Sequence, residues 1–147
     1  MLGETTTEVT RATHLADTSA FARLTKPRVA AVIAPLIADG RIALCSPVAF
    51  ELGFSARTTA DHHAIMSRID AFEPAPTTEA DHRRALEIQR FLASSGHHRA
   101  LSLVDGLVAA IAEARNLTVL HYDADFELVA AITGQPTEWV VDRGTAD

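Results

Sequence analysis

Four times along this chain a carboxylate stands where an apolar segment gives way to a polar turn, and that recurrence limits the fold more than any other feature. The stretches are Leu15-Ala16-Asp17-Thr18-Ser19, Ser46-Pro47-Val48-Ala49-Phe50-Glu51, Ser102-Leu103-Val104-Asp105 and Leu120-His121-Tyr122-Asp123-Ala124-Asp125-Phe126. A carboxylate beside a core segment is costly unless it is paired, hydrogen-bonded or bound to a cation. Acids recurring in that position imply one shared pocket, and a divalent metal suits it.

The segments between the acids alternate in period. His14 to Ala16 reads as a short first strand, followed by a helix-opening turn at Asp17-Thr18-Ser19 whose polar side chains cap the first amides. Pro27 suits a first helical position, and Val29, Val32, Ile33, Leu36 and Ile37 repeat at helical spacing until Asp39-Gly40. Arg41 to Cys45 is a second strand. Ser46-Pro47 supplies a cap and a first-turn proline for a helix carrying Glu51, and a further helix after Arg57 holds Ile65, Met66 and Ile69. Phe72-Glu73-Pro74 is a brief third strand. Thr77 or Thr78 caps a polar helix to about Ser94, with Ala85, Ile88, Phe91 and Leu92 as its inward stripe. Ser102 to Asp105 has the spacing of a capping box for a helix burying Leu107, Val108, Ile111 and Ala114. Thr118 to Leu120 is a fourth strand, Asp125 to Ile132 a short helix, and Glu138 to Val141 a last strand.

Strands alternating with helices predict an α/β fold with a mostly parallel sheet and helices on both faces. Ligands in such folds collect outside the carboxyl ends of the strands, where Asp17 and Asp123 are expected. Residues 1–12, Thr-rich and without apolar period, read as a flexible N-terminal arm, and 13–143 as one domain. That length buries a substantial core, and with 5% aromatic residues the core is built from Ala, Val, Leu and Ile.

Cys45 has no partner for an intrachain disulfide and reads as a small buried hydrophobe, which fits a reducing, cytoplasmic setting. No apolar run approaches the roughly 18 residues that span a membrane, and the first residues lack the basic and apolar regions of a signal peptide. The net charge of −6 argues against holding nucleic acid by a broad basic face. It leaves a nuclease open, because bound cations would neutralise several of the acids.

Each acid also has a plain structural reading. Asp17 can serve as a helix cap and Asp105 as the acid of the capping box, while Asp123 and Asp125 can both cap the helix before Phe126. Glu51 can face solvent, although Val48, Phe50, Leu52 and Phe54 crowd it with apolar neighbours. The conjunction of all of them points to a site. The seven His residues do not, since His62-His63 and His97-His98 are adjacent pairs without the spacing that lets two imidazoles share a zinc ion. No Gly-rich phosphate loop and no nucleophile elbow is present.

Taken together, Asp17-Thr18-Ser19, Glu51, Ser102-Leu103-Val104-Asp105 running into Gly106-Leu107-Val108-Ala109-Ala110, and Leu120 to Phe126 resemble a PIN domain, with the nearest likeness to VapC-type toxins of bacterial toxin–antitoxin pairs. The resemblance spans about residues 14 to 141. It implies a three-layer α/β/α sandwich and a metal-dependent endoribonuclease in which Asp17, Glu51, Asp105 and Asp123 hold Mg²⁺ or Mn²⁺, with Asp125 as a further candidate ligand. Ser19 matches the small hydroxyl residue after the first acid and would hydrogen-bond a metal-bound water or a scissile phosphate oxygen. His121 departs from the family's common Thr, and Gly106 is unusual in an Ala-rich helix and suggests a close approach.

The resemblance further implies a VapB-type antitoxin whose tail covers the site, and a homodimer. Single-stranded or loop RNA is the expected substrate, because a recessed acidic cluster reaches a splayed backbone more readily than an A-form helix. Arg23, Lys26, Arg28, Arg57 and Arg99 are candidate phosphate guides at the rim. Two rivals stand beside this reading. A phosphoacceptor receiver domain also gathers acids at strand ends but wants a Lys near the last strand, and Lys26, the only Lys here, lies after the first helix. A catalytically silent PIN-fold interaction module would have little use for four retained acids.

Overall fold

The computed structural model describes residues 11–147, so the expected arm lies outside the described residues as far as residue 10. Ala12 already belongs to the core, at 7% exposure. The elements run β1 (His14–Ala16), α1 (Thr18–Phe21), α2 (Pro27–Ala38), β2 (Ile42–Cys45), α3 (Ser46–Phe54), α4 (Thr59–Ile69), β3 (Glu73–Ala75), α5 (Glu79–Ala93), α6 (Leu103–Ala114), β4 (Thr118–His121), α7 (Asp125–Thr133) and β5 (Thr137–Trp139).

All five strands pair in parallel, in the order β3-β2-β1-β4-β5. Parallel neighbours need crossovers, and helices supply them on both faces of the sheet. The chain winds outward from β1 to β3, then crosses back to β4 and β5 on the other side. The point where the direction reverses lies between β1 and β4, and ligands in open α/β sheets bind outside the strand ends at such a point. This order is not the 2-1-3-4-5 order of receiver domains, which removes that rival.

Leu15, Ala16, Val119 and Leu120 fill the central strands and are fully buried, with Val29, Ile33, Val48, Val108, Ile111 and Phe126 packing from the helices. No helix among the described residues is long and apolar enough to cross a membrane. Cys45 is buried and its thiol is pushed up to about 11 by that burial, so it is an inert core residue.

Several boundaries differ from expectation for identifiable reasons. Ser46 does not cap α3; β2 runs directly into the helix, Cys45 takes the N-cap position without a side-chain bond, and Pro47 fills the first turn. On α5 the inward stripe is Asp81, Ala85, Ile88 and Leu92, while Phe91 is 52% exposed. Ala114 is likewise exposed at the end of α6. Gly106 does face α5, but an added Cβ would meet that of Ala85 at 3.6 Å, ordinary van der Waals contact, so the approach does not demand glycine. Phe50 and Phe54 do not crowd Glu51; they are 75% and 83% exposed on the outer face of α3.

The chain past Arg143 closes onto Tyr122. The Tyr122 hydroxyl accepts the amides of Gly144 and Ala146 at 2.8 and 2.9 Å and donates to Asp147 Oδ1 at 2.7 Å. Arg23 stacks its guanidinium over the same ring, 4.6 Å from the centroid. Tyr122→Phe leaves the buried Ala146 amide without its acceptor, so urea denaturation should show a loss of about 1–3 kcal/mol. Unchanged stability would mean that the segment contributes nothing to the fold.

Candidate active site

Asp17 sits where β1 ends, with extended backbone angles, and its amide donates to Leu120 O at 2.9 Å. That bond sews the turn after β1 to β4. As the N-cap of α1, its Oδ2 accepts both the Ser19 amide at 3.0 Å and the Ser19 hydroxyl at 2.6 Å. Its other oxygen, Oδ1, is buried and has no partner among the described residues, although the side chain is only 2% exposed. Capping explains one oxygen and leaves the second unexplained.

The neighbouring turns bring three more acids toward it. Glu51 is half-buried on α3, with Oε1 accepting the Thr18 hydroxyl at 2.6 Å. Asp105 completes the capping box of α6, taking the Ser102 amide at 3.3 Å and donating its own amide to Ser102 Oγ at 3.1 Å. Asp123 follows β4; its amide donates to His121 Nδ1 at 3.1 Å, and its Oδ1 accepts the Asp125 amide at 2.9 Å.

The charges of these groups act on one another. Burial raises the Asp17 pKa above the usual carboxylate range against the pull of the two Ser19 hydrogen bonds, and the charges of Asp123 and Glu51 raise it further. Asp105 is pushed up to about 6, first by burial and next by the charge of Asp17, with Asp123 adding to it. Asp125 is also raised, by burial and then by Asp123. Asp17, Glu51, Asp105 and Asp123 thus share one electrostatic neighbourhood, and Asp125 joins it through Asp123.

The resemblance has Ser19 offer its hydroxyl to a metal-bound water or a phosphate oxygen. In the fold its hydrogen goes to Asp17 and its oxygen accepts the Tyr122 amide at 2.9 Å, so it clamps the two central turns together. Two residues escaped the sequence reading. Thr18 steadies Glu51, and its only signal was a hydroxyl between Asp17 and Ser19. His121 holds the Asp123 amide; the family resemblance marks it as a departure without showing its contact. Of the rim cations, Arg23 reaches the Ser19 carbonyl at 2.9 Å and Ala146 O at 3.1 Å, and Lys26 reaches Asp147 O at 2.9 Å. Arg28, Arg57 and Arg99 are exposed, as are His62, His63, His82, His97 and His98.

As the side chains lie, no three His, Cys, Asp or Glu residues among those described are gathered closely enough to hold an ion. The donors nevertheless suit a hard divalent cation in kind. All are carboxylate oxygens, one is buried and unpartnered, and their charges raise one another's pKa. Zinc, which prefers imidazole and thiolate, finds no such set here.

The family model for the PIN domain matches residues 15–132. Ribonuclease VapC51 of Mycobacterium tuberculosis is 43% identical over 134 residues, a match covering 91% of this chain and 97% of the relative. Ribonuclease VapC21 of the same species is also 43% identical over 134 residues, covering 90% and 97%. Among solved structures, the VapBC-5 toxin–antitoxin protein of M. tuberculosis superposes with a TM-score of 0.58 at 25% identity, over 86% of this chain and 96% of that one. VapBC2 of Rickettsia felis, solved on a DNA fragment from its promoter, gives 0.69 at 16% identity over 86% and 98%, a likeness of fold alone. The chain belongs to the PIN-domain family, in the branch of the VapC ribonucleases.

The raised Asp105 pKa has a consequence for stability. The folded chain holds that proton more tightly than the unfolded one, so Asp105 favours folding below about pH 4 and loses that contribution as the pH climbs from its ordinary 3.8 through about 6. In EDTA at pH 7.5, Asp105→Asn keeps a capping oxygen without the charge and should be more stable than wild type by about 1–2 kcal/mol, allowing for partial solvent screening. Equal or lower stability in urea denaturation would contradict the repulsion.

Proposed function

We propose that this protein is the toxin of a toxin–antitoxin pair and cleaves RNA phosphodiester bonds, with Asp17, Glu51, Asp105 and Asp123 holding one or two Mg²⁺ or Mn²⁺ ions. The observation that carries this reading is the unpartnered, buried Oδ1 of Asp17 at the reversal point of the sheet, with further acids raising its pKa. The relatives' names support the reaction class, and the mutual effect of these acids on one another supports the choice of residues.

An ion held by Asp17, Glu51, Asp105 and Asp123 would supply an acidified water and neutralise charge on the phosphodiester. The protein's part is positional. Ser19 fixes Asp17 Oδ2 and leaves Oδ1 without a partner, Thr18 orients Glu51, and the α6 capping box holds Asp105. Asp123 is the fourth acid in this scheme. Asp125, raised by Asp123 and placed in the first turn of α7, adds negative charge beside it, and the helix dipole accounts for its presence. Arg23, anchored on the Ser19 carbonyl, remains a candidate phosphate guide.

Single-stranded or looped RNA fits a recessed site of this kind. The partner is a VapB-type antitoxin, a reading supported by solved relatives described as VapBC complexes. A homodimer and a cytoplasmic setting complete the proposal. Against the catalytically silent alternative stands the presence of all four acids in one neighbourhood.

Asp17→Asn keeps the cap and removes the charge. It should abolish cleavage of total RNA in Mg²⁺ or Mn²⁺ with the circular dichroism spectrum unchanged; full activity in this variant removes Asp17 from the site. Asp123→Ala should lower cleavage more than Asp125→Ala, and the reverse order would move the fourth ligand two residues along the chain.

A further inference from the structure

We propose that His121 is a positioning residue, holding Asp123 in the orientation its ligand requires; the inference rests on the reading of Asp123 as a site acid. His121 is the last residue of β4 and fully buried. Its ring lies 5.0 Å from both the Phe126 and the Trp139 rings, and its carbonyl accepts the Val140 amide at 2.8 Å. Backbone and ring are therefore both fixed.

Nδ1 accepts the Asp123 amide, which assigns the ring hydrogen to Nε2. Nε2 is buried with no hydrogen-bond partner among the described residues. An apolar side chain of similar volume would fill the same space between Phe126 and Trp139 without stranding that N–H, so packing alone gives no reason for histidine here. The acceptor at Nδ1 does.

Three hydrogen bonds shape the turn between β4 and α7. The Tyr122 amide goes to Ser19 Oγ, the Asp123 amide to His121 Nδ1, and the Asp125 amide to Asp123 Oδ1. The middle bond fixes the peptide from which the Asp123 side chain departs. A buried planar ring packed against two aromatic rings is a rigid acceptor, and groups that orient a ligand residue commonly matter nearly as much to ion binding as the ligand itself.

The test measures Mn²⁺ binding by calorimetry and stability in urea for wild type, His121→Leu, His121→Asn and Asp123→Asn. His121→Leu should stay folded and bind Mn²⁺ roughly tenfold more weakly. His121→Asn, whose amide oxygen can reach the place of Nδ1, should recover most of that affinity. Wild-type affinity in His121→Leu, or no recovery in a folded His121→Asn, overturns the inference. Wild-type affinity in Asp123→Asn, or no binding by the wild type, overturns the site reading and the inference with it. Should His121→Leu fail to fold, ¹⁵N NMR of the wild-type imidazole decides: a hydrogen on Nε2 supports the inference, and one on Nδ1 overturns it.

Discussion

The carboxylate of Asp17 is the group on which the rest of the arrangement depends. It ends the central strand, its amide is tied to β4, and its side chain caps α1 with one oxygen while the other is buried without a partner. Leaving a buried acceptor unsatisfied costs about 1–3 kcal/mol, and more when the group is charged. Nothing in the packing of the sheet requires that expense, since Ser or Asn would cap the short helix equally well. A ligand that takes up the free oxygen makes sense of it.

The topology explains why one acid gathers the others. Because β1 is the middle strand of the order β3-β2-β1-β4-β5, the turns after β1 and β4 are neighbours, and α3 and α6 bring their acids to the same end. The links among these turns are polar and specific: Ser19 to Asp17 and Tyr122, Thr18 to Glu51, His121 to Asp123. Each gives up a side chain to hold a carboxylate or its peptide in place. A binding site built from like charges requires such external holding, because the charges themselves push apart.

Much of this was legible in the chain. The alternation of short apolar runs with helical stripes gave the parallel sheet, and an acid just after an apolar run marked Asp17, as one three residues past Leu120 marked Asp123. The Ser102–Asp105 capping box was legible as a cap, and its place in the site came only from its company. What the sequence could not show depends on contacts far along the chain. The direction of the Ser19 hydroxyl is set by Tyr122, 103 positions away, and the role of Thr18 by Glu51, 33 positions away. Phe50 and Phe54 misled because apolar character does not oblige a residue to be buried. His121 stood out as odd, but its neighbours Phe126 and Trp139 come from separate elements.

In the proposed function the acids at the ends of β1 and β4 hold a divalent cation. Anomalous scattering from crystals soaked in Mn²⁺ tests it most directly. A strong peak is expected against Asp17 Oδ1, shared with carboxylates of Glu51, Asp105 or Asp123. Soaks at Mn²⁺ concentrations that support RNA cleavage, giving no peak at these acids or a peak only elsewhere on the molecule, would contradict it.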